Sequence, residues 1–230
     1  MKIIILIIVC ASIGACATKA GAPLVVSGET AVIQGEISES TAAEFKRALG
    51  QSKISRVLLA SGGGSVEPAI AIASEIRDRK IDVEVVGNCF SSCANYVFPA
   101  GATKIISGLG VVAWHGNMSH LLHLHASGVK TLDSSKLAEV QRLAKLENEF
   151  FASIGLNQFI CWFGKISPYN VRNLYFLSTN DMARFGLANV NVRPGYEQTD
   201  VSSYNDNGKI SNLQYIKVDW STLKAPVSAH

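Results

Sequence analysis

From Ala31 to Trp114 the chain alternates strand-like and helix-like segments, and that order confines it to a small set of folds. Ala31 to Ile37 reads as a strand ended by Ser38-Glu39-Ser40, and the helix after it carries Ala42, Phe45 and Leu49 on one face. Arg56 to Ala60 is a short apolar strand that runs into Ser61-Gly62-Gly63-Gly64-Ser65. Val66, Ala69, Ile70, Ala73 and Ile76 recur at helical spacing, which predicts an amphipathic helix from Val66 to Arg79 with Glu67, Glu75 and Asp78 on its polar side. Asp82 to Val86 is the next strand, broken by Gly87-Asn88; Lys104 to Ser107 and Val111 to Trp114 follow around Gly108 and Gly110. Parallel neighbours need a crossover between them, so repeated β-α-β order predicts an α/β fold with a mainly parallel sheet and right-handed connections.

Beyond His115 the pattern changes. Asn117 to Lys130, with His120, His123 and His125, reads as a loop. A long helix is predicted from about Leu132 to Ile154, with Leu137, Val140, Ala144, Phe151 and Ile154 on one face and Leu143, Leu146 and Phe150 widening it. Short helical pieces are expected around Pro168 to Leu174 and Asn180 to Phe185, giving a helical C-terminal segment. The tail from Gly195 reads as loops with a hairpin about Asn207-Gly208.

In parallel sheets ligands collect at the carboxyl ends of strands. Three chemically useful pieces fall there. The glycine run can present backbone N–H donors to an oxyanion, because no side chain blocks the approach. Ser91-Ser92-Cys93-Ala94 offers a hydroxyl nucleophile in small-residue surroundings, and His115 offers a base at the end of an apolar strand. Each has a plainer reading: a tight turn, a buried serine, a core histidine. Ser91 is the alternative nucleophile if the register is off by one, and Cys89 or Cys93 is another. The His120, His123, His125 group lacks a carboxylate or cysteine to complete a metal site, so no metal and no cofactor is expected.

The chain begins with Met1-Lys2, an unbroken apolar run from Ile3 to Val9, and small residues up to Ala17. That is the layout of a secretory leader, too short in its apolar core for a spanning helix of about 20 residues. Ala15-Cys16-Ala17 suits small-residue cleavage, while Ile13-Gly14-Ala15-Cys16 has the form of a lipobox with Cys16 lipidated; a lipid anchor in the bacterial cell envelope or a free periplasmic form follows. The expected organisation is a leader over 1–20, an α/β domain over 21–194 and a tail over 195–230. In an oxidising compartment Cys89 and Cys93 are close enough to pair, with two buried thiols as the alternative, and Cys161 is left over. The net charge of +3 is spread along the chain and forms no basic block, which argues against nucleic acid as a partner.

Taken together, the motifs resemble the Clp-protease proteolytic-subunit family within the wider ClpP/crotonase superfamily, above all exported bacterial ClpP-like proteins with a Cys-x-Ser-x-Cys-type nucleophile segment. The resemblance runs from about Ala31 to Gly116 and fades towards Val190. Ser61-Gly62-Gly63-Gly64-Ser65 is similar to the family's Ser-Pro-Gly-Gly turn, with Gly62 in the proline position. Ser92, followed by Cys93-Ala94 and then Pro99-Ala100-Gly101, is similar to the nucleophile segment; Phe176-Leu177-Ser178 with Phe185-Gly186-Leu187 is similar to the family's later elements.

The resemblance implies a ClpP/crotonase-like spiral of β-α-β units and a serine hydrolase acting on peptide or acyl substrates. Ser92 would be the nucleophile and His115 the base. Gly64 and Cys93 would supply the oxyanion N–H groups, with Gly63 shaping the approach. A homo-oligomer assembled through the long helix is implied as well. The family's third catalytic residue, an aspartate, falls on Leu174; Asn173 is adjacent and Asp181 lies a turn later, so the third member is Asn173, Asp181 or neither. A non-catalytic binding or scaffold protein on the same fold is the competing expectation. A crotonase-type acyl-CoA enzyme fits poorly with an exporting leader.

Overall fold

The core follows from strands whose apolar residues alternate inward, with Ala31, Ile33, Val57, Leu59, Val83 and Val85 all buried. The computed structural model describes residues 24–199 and 213–224; Cys16 and the hairpin expected about Asn207-Gly208 lie outside them. Among the described residues the larger sheet has seven strands, with β1 (Leu24–Ser27), β2 (Thr30–Ile37), β3 (Arg56–Gly64), β4 (Asp82–Phe90), β5 (Lys104–Ile106) and β8 (Val190–Val192) in that spatial order. Every pairing but β1–β2 is parallel. The seventh strand, β6 (Val111–Ala113), pairs with the second half of β4.

Two helices join these strands. Ser38 caps α1 (Glu39–Gln51) by accepting the Thr41 N–H, and Phe45 and Leu49 are buried beneath it. Helix α2 (Val66–Asp78) buries Ala69, Ile70, Ile72, Ala73 and Ile76. Each buried isoleucine contributes about 1.5–3 kcal/mol, so this face fixes the helix on the sheet far more firmly than its caps do.

Gly87-Asn88 does not end β4. The strand pairs with β5 through Val83–Val85 and with β6 through Asn88–Phe90, so the glycine marks a change of partner. The glycine run likewise stays extended as the end of β3, where Glu36 and Ile37 pair with Gly63 and Gly64.

The second half departs further from expectation. Met118–Ala126 is a helix, α3, where the sequence pattern reads as a loop; Asn117 caps it by accepting the His120 N–H. Helix α4 (Ser134–Ile154) starts at an Asp133 cap and stops at Gly155, whose φ of 66° places it in the left-handed region. The stretch from Pro168 is not helical: a cis Ser167–Pro168 bond opens a turn, and Leu174 begins strand β7 (Leu174–Leu177). Helix α5 (Thr179–Arg184) follows. The tail is not only loops, because β9 (Leu213–Ile216) runs parallel to β7 and buries Leu213 and Ile216. No described helix is long and apolar enough to cross a membrane.

Candidate functional site

Parallel register brings the three motifs to one edge. Ser61 pairs with Cys89 across β3 and β4, and Phe90 pairs with Ala113 across β4 and β6. The carboxyl ends of these three strands therefore lie side by side, with Gly62–Gly64 ending β3 and Ser91–Ser92 and Trp114–His115 just beyond β4 and β6.

Contact between the first two motifs is tight. A Cβ on Gly63 would come within 2.7 Å of Phe90 O and Ser91 Cβ and 2.9 Å of Ser92 N, so only glycine lets the strands close. The Gly63 N–H donates to Ser61 Oγ at 3.1 Å, and that hydroxyl donates to Gly35 O at 2.6 Å, which uses the Gly63 donor within the strand end. Gly64 differs. Ile37 is its partner in β2, and Ser65 N donates to Ile37 O. In a parallel ladder that leaves the N–H and C=O of Gly64 turned away from β2. The Gly64 carbonyl meets Ser92, whose Oγ donates to it at 2.7 Å.

Ser91 has a φ of 54°, an uncommon value for serine, and makes the sharp turn that leads into a π-type helical turn, Cys93–Val97. Cys93 opens that turn, so its N–H has no acceptor within it. Cys89 and Cys93 form a disulfide that closes a loop around Ser91 and Ser92, and Cys161 is a buried free thiol. Ser92 itself is 4% exposed.

His115 makes no hydrogen bond with Ser92. It is exposed at the surface, yet enough protein surrounds it that desolvation, followed by the Lys165 cation, holds its pKa below the ordinary histidine value. Asn95 Nδ2 donates to Gly116 O at 2.9 Å and ties the nucleophile turn to the residue after His115. Trp114 and Tyr175 exchange backbone bonds of 2.9 Å as an antiparallel bridge. The bridge is isolated, and the residues that follow it along the two segments are His115 and Leu174, the position at which the motif alignment expects an acid.

Asp181 does not fill that gap. Asp181 is engaged elsewhere, accepting from Ser178 Oγ at 2.9 Å and from Trp220 Nε1 at 2.6 Å. The Asn173 carbonyl, with that of Arg172, accepts from Lys165 Nζ at 3.0 and 2.6 Å. A cation thus stands near the imidazole. Lys165→Met keeps the stem and removes the charge. The acid limb of any Ser92 reaction should then move up towards the ordinary histidine value. Relief of a partly screened charge pair of roughly 0.2–1 kcal/mol speeds the reaction by up to about fivefold near neutral pH. A pH–rate series on both proteins checks this; an unmoved limb removes Lys165 from the electrostatics of His115.

The other histidines form a separate group. His120 and His123 pack on Trp162 at ring separations of 5.5 and 5.0 Å, while His125 Nδ1 turns to Lys130 O. Desolvation, then Lys165 and its histidine neighbours, lower His120 to about 4, so it is neutral at pH 7. A cleft of about 680 Å³ opens at the far edge of the sheet, around Ser52–Ser55, Arg79 and Asp82, and contains none of the motif residues.

Sequence reasoning missed Glu147. It is fully buried, accepts from Tyr96 Oη and is bonded by Met118 N at 3.1 and 3.2 Å. Desolvation raises its pKa to about 7, against the opposing effect of these hydrogen bonds and one from the Ser119 N–H. The signal was present: Val140, Leu143, Ala144, Glu147, Phe150 and Phe151 form one helical stripe, so a lone acid sits inside an apolar face.

No family model matches the chain, and no curated protein matches it. Among solved structures it is similar to a mutant of ClpP1 from Listeria monocytogenes, at 18% identity and a TM-score of 0.45, over 72% of this chain and 91% of that one.

Proposed function

We propose that this chain is an exported or lipid-anchored serine hydrolase of ClpP-like type, with peptides as its first substrate class. One observation carries the reading: the glycine run, the Ser92 turn and His115 emerge side by side from β3, β4 and β6. In this reading Ser92 Oγ attacks an acyl carbon and His115 takes its proton. The N–H groups of Gly64 and Cys93 hold the oxyanion, His115 returns the proton to the leaving group, and water releases the acyl-enzyme. Before attack the Ser92 hydroxyl must leave the Gly64 carbonyl. That costs about 1 kcal/mol, a factor of roughly five in rate, so the bond is a resting state and not a block. The leader-like start and the Cys89–Cys93 disulfide support export, and a homo-oligomer belongs to the same reading.

A fluorophosphonate probe is expected to label the folded protein and to leave Ser92→Ala unlabelled. A folded wild type that resists the probe, or equal labelling of both proteins, overturns the reading. Leu174 at the position where the motif alignment expects an acid favours a second one, a non-catalytic binding or scaffold protein of the cell envelope on the same fold. In that case wild type and Ser92→Ala are equally inert and bind the same partners.

A further inference from the structure

We propose that Glu147 is a positioning residue that locks the nucleophile turn to the histidine loop, an inference that rests on the hydrolase reading above. The geometry is a three-element junction. Tyr96 belongs to the helical turn that Ser92 leads into, and its hydroxyl donates to Glu147 Oε1. Met118 opens α3 just past His115, and its N–H reaches both carboxylate oxygens. Glu147 itself sits in the middle of α4, on the buried stripe that clamps both segments. Asn95 makes a second tie between the same two segments through Gly116 O. The distance between nucleophile and base is thus set from behind, by groups that never meet substrate.

Chemistry favours a carboxylate in this place. An ionised carboxyl offers acceptor sites to both donors at once, whereas a protonated one must direct its own hydrogen to one partner. An amide has a single acceptor oxygen and needs the Tyr96 hydroxyl reversed. The groups that face Glu147 are Tyr96 from the nucleophile turn, the Cys161 thiol from the turn Gln158–Cys161, and the N–H groups of Met118 and Ser119 from α3. The hydrogen bonds from Tyr96 and Met118 favour the ionised carboxyl while burial opposes it, so Glu147 takes its charge, and the junction its full set of acceptors, only near neutrality.

The test is the rate of fluorophosphonate labelling of Ser92 between pH 5 and 9 in wild type, Glu147→Gln and Tyr96→Phe. The wild-type profile is expected to rise twice, once with His115 below its ordinary value and again near pH 7. Both variants should lose the rise near pH 7 and label about tenfold more slowly at pH 8, while Glu147→Gln melts no lower than wild type at that pH. Tyr96→Phe severs the tie to the nucleophile turn alone, so it decides the matter if Glu147→Gln folds poorly. Folded variants that keep the wild-type profile and rate overturn the role of Glu147 and leave the hydrolase reading standing. A folded wild type that is never labelled overturns the hydrolase reading itself, and the positioning role with it.

Discussion

Replacing Leu174 with aspartate should raise the rate of Ser92 acylation by about a hundredfold or more. Losing the triad aspartate costs about 10⁴ in turnover where geometry is preserved, and an acid placed near the imidazole recovers part of that. The Trp114–Tyr175 bridge brings residue 174 close to the end of the segment that carries His115. Lys165 Nζ, held at the Arg172 and Asn173 carbonyls, is close enough to offset the new charge. The gain stays short of the full factor because Leu174 is half-buried and packs against the core. Two readouts check it: the second-order rate of fluorophosphonate labelling, and the acid limb of the pH profile, which the carboxylate moves up. Leu174→Asn orients the ring without charge and should fall between. A folded Leu174→Asp protein no faster than wild type would show that this strand does not reach the imidazole.

A second large effect is expected in stability. Glu147 carries a folded-state pKa of about 7 against an ordinary 4.5. The native state therefore holds its proton more tightly than the unfolded chain does. Stability contributed by the neutral carboxyl is complete below about pH 4.5 and is lost as pH rises to 7, at a cost of about 3 kcal/mol. Glu147→Gln has no proton to lose. Its stability relative to wild type should therefore improve by about that amount between pH 4.5 and pH 8. Urea unfolding of both proteins at several pH values gives the difference directly, free of every other titrating group. A difference that stays flat with pH would mean that Glu147 ionises as it does in water. At pH 8 the same variant is expected to be more stable yet slower towards the probe, a combination that a purely structural glutamate does not produce.

The half of the chain up to His115 could be read from its letters because period and composition there agree with tertiary pairing. Ala69, Ile70, Ala73 and Ile76 repeat at the helical interval and are buried, and Val57 and Leu59 alternate into the core. Gly87-Asn88 misled because glycine normally ends a strand; here a strand on each side holds β4 through the change from β5 to β6. After His115 local cues weaken. Met118–Ala126 mixes histidine with leucine all round, and its helix depends on Asn117 and on packing against Trp162. Leu174–Leu177 is a strand because it meets Trp114 on one side and Leu213–Ile216 on the other, partners far apart in sequence. For the candidate site, edge placement was legible in the glycine run and the serine pair. The Ser92 bond to Gly64, the leucine near the imidazole and the buried glutamate all depend on contacts between distant segments.

Strand β7 carries a consequence for handling the molecule. One of its edges touches the residue before the histidine, and the other holds β9, among the last residues described. Trimming the carboxyl end back past Leu213 would strip a ladder from the same strand that fixes the imidazole, and a bulky fusion placed close behind it would strain that ladder. A shortened or tagged protein that shows no reactivity would then report on its missing buttress rather than on Ser92.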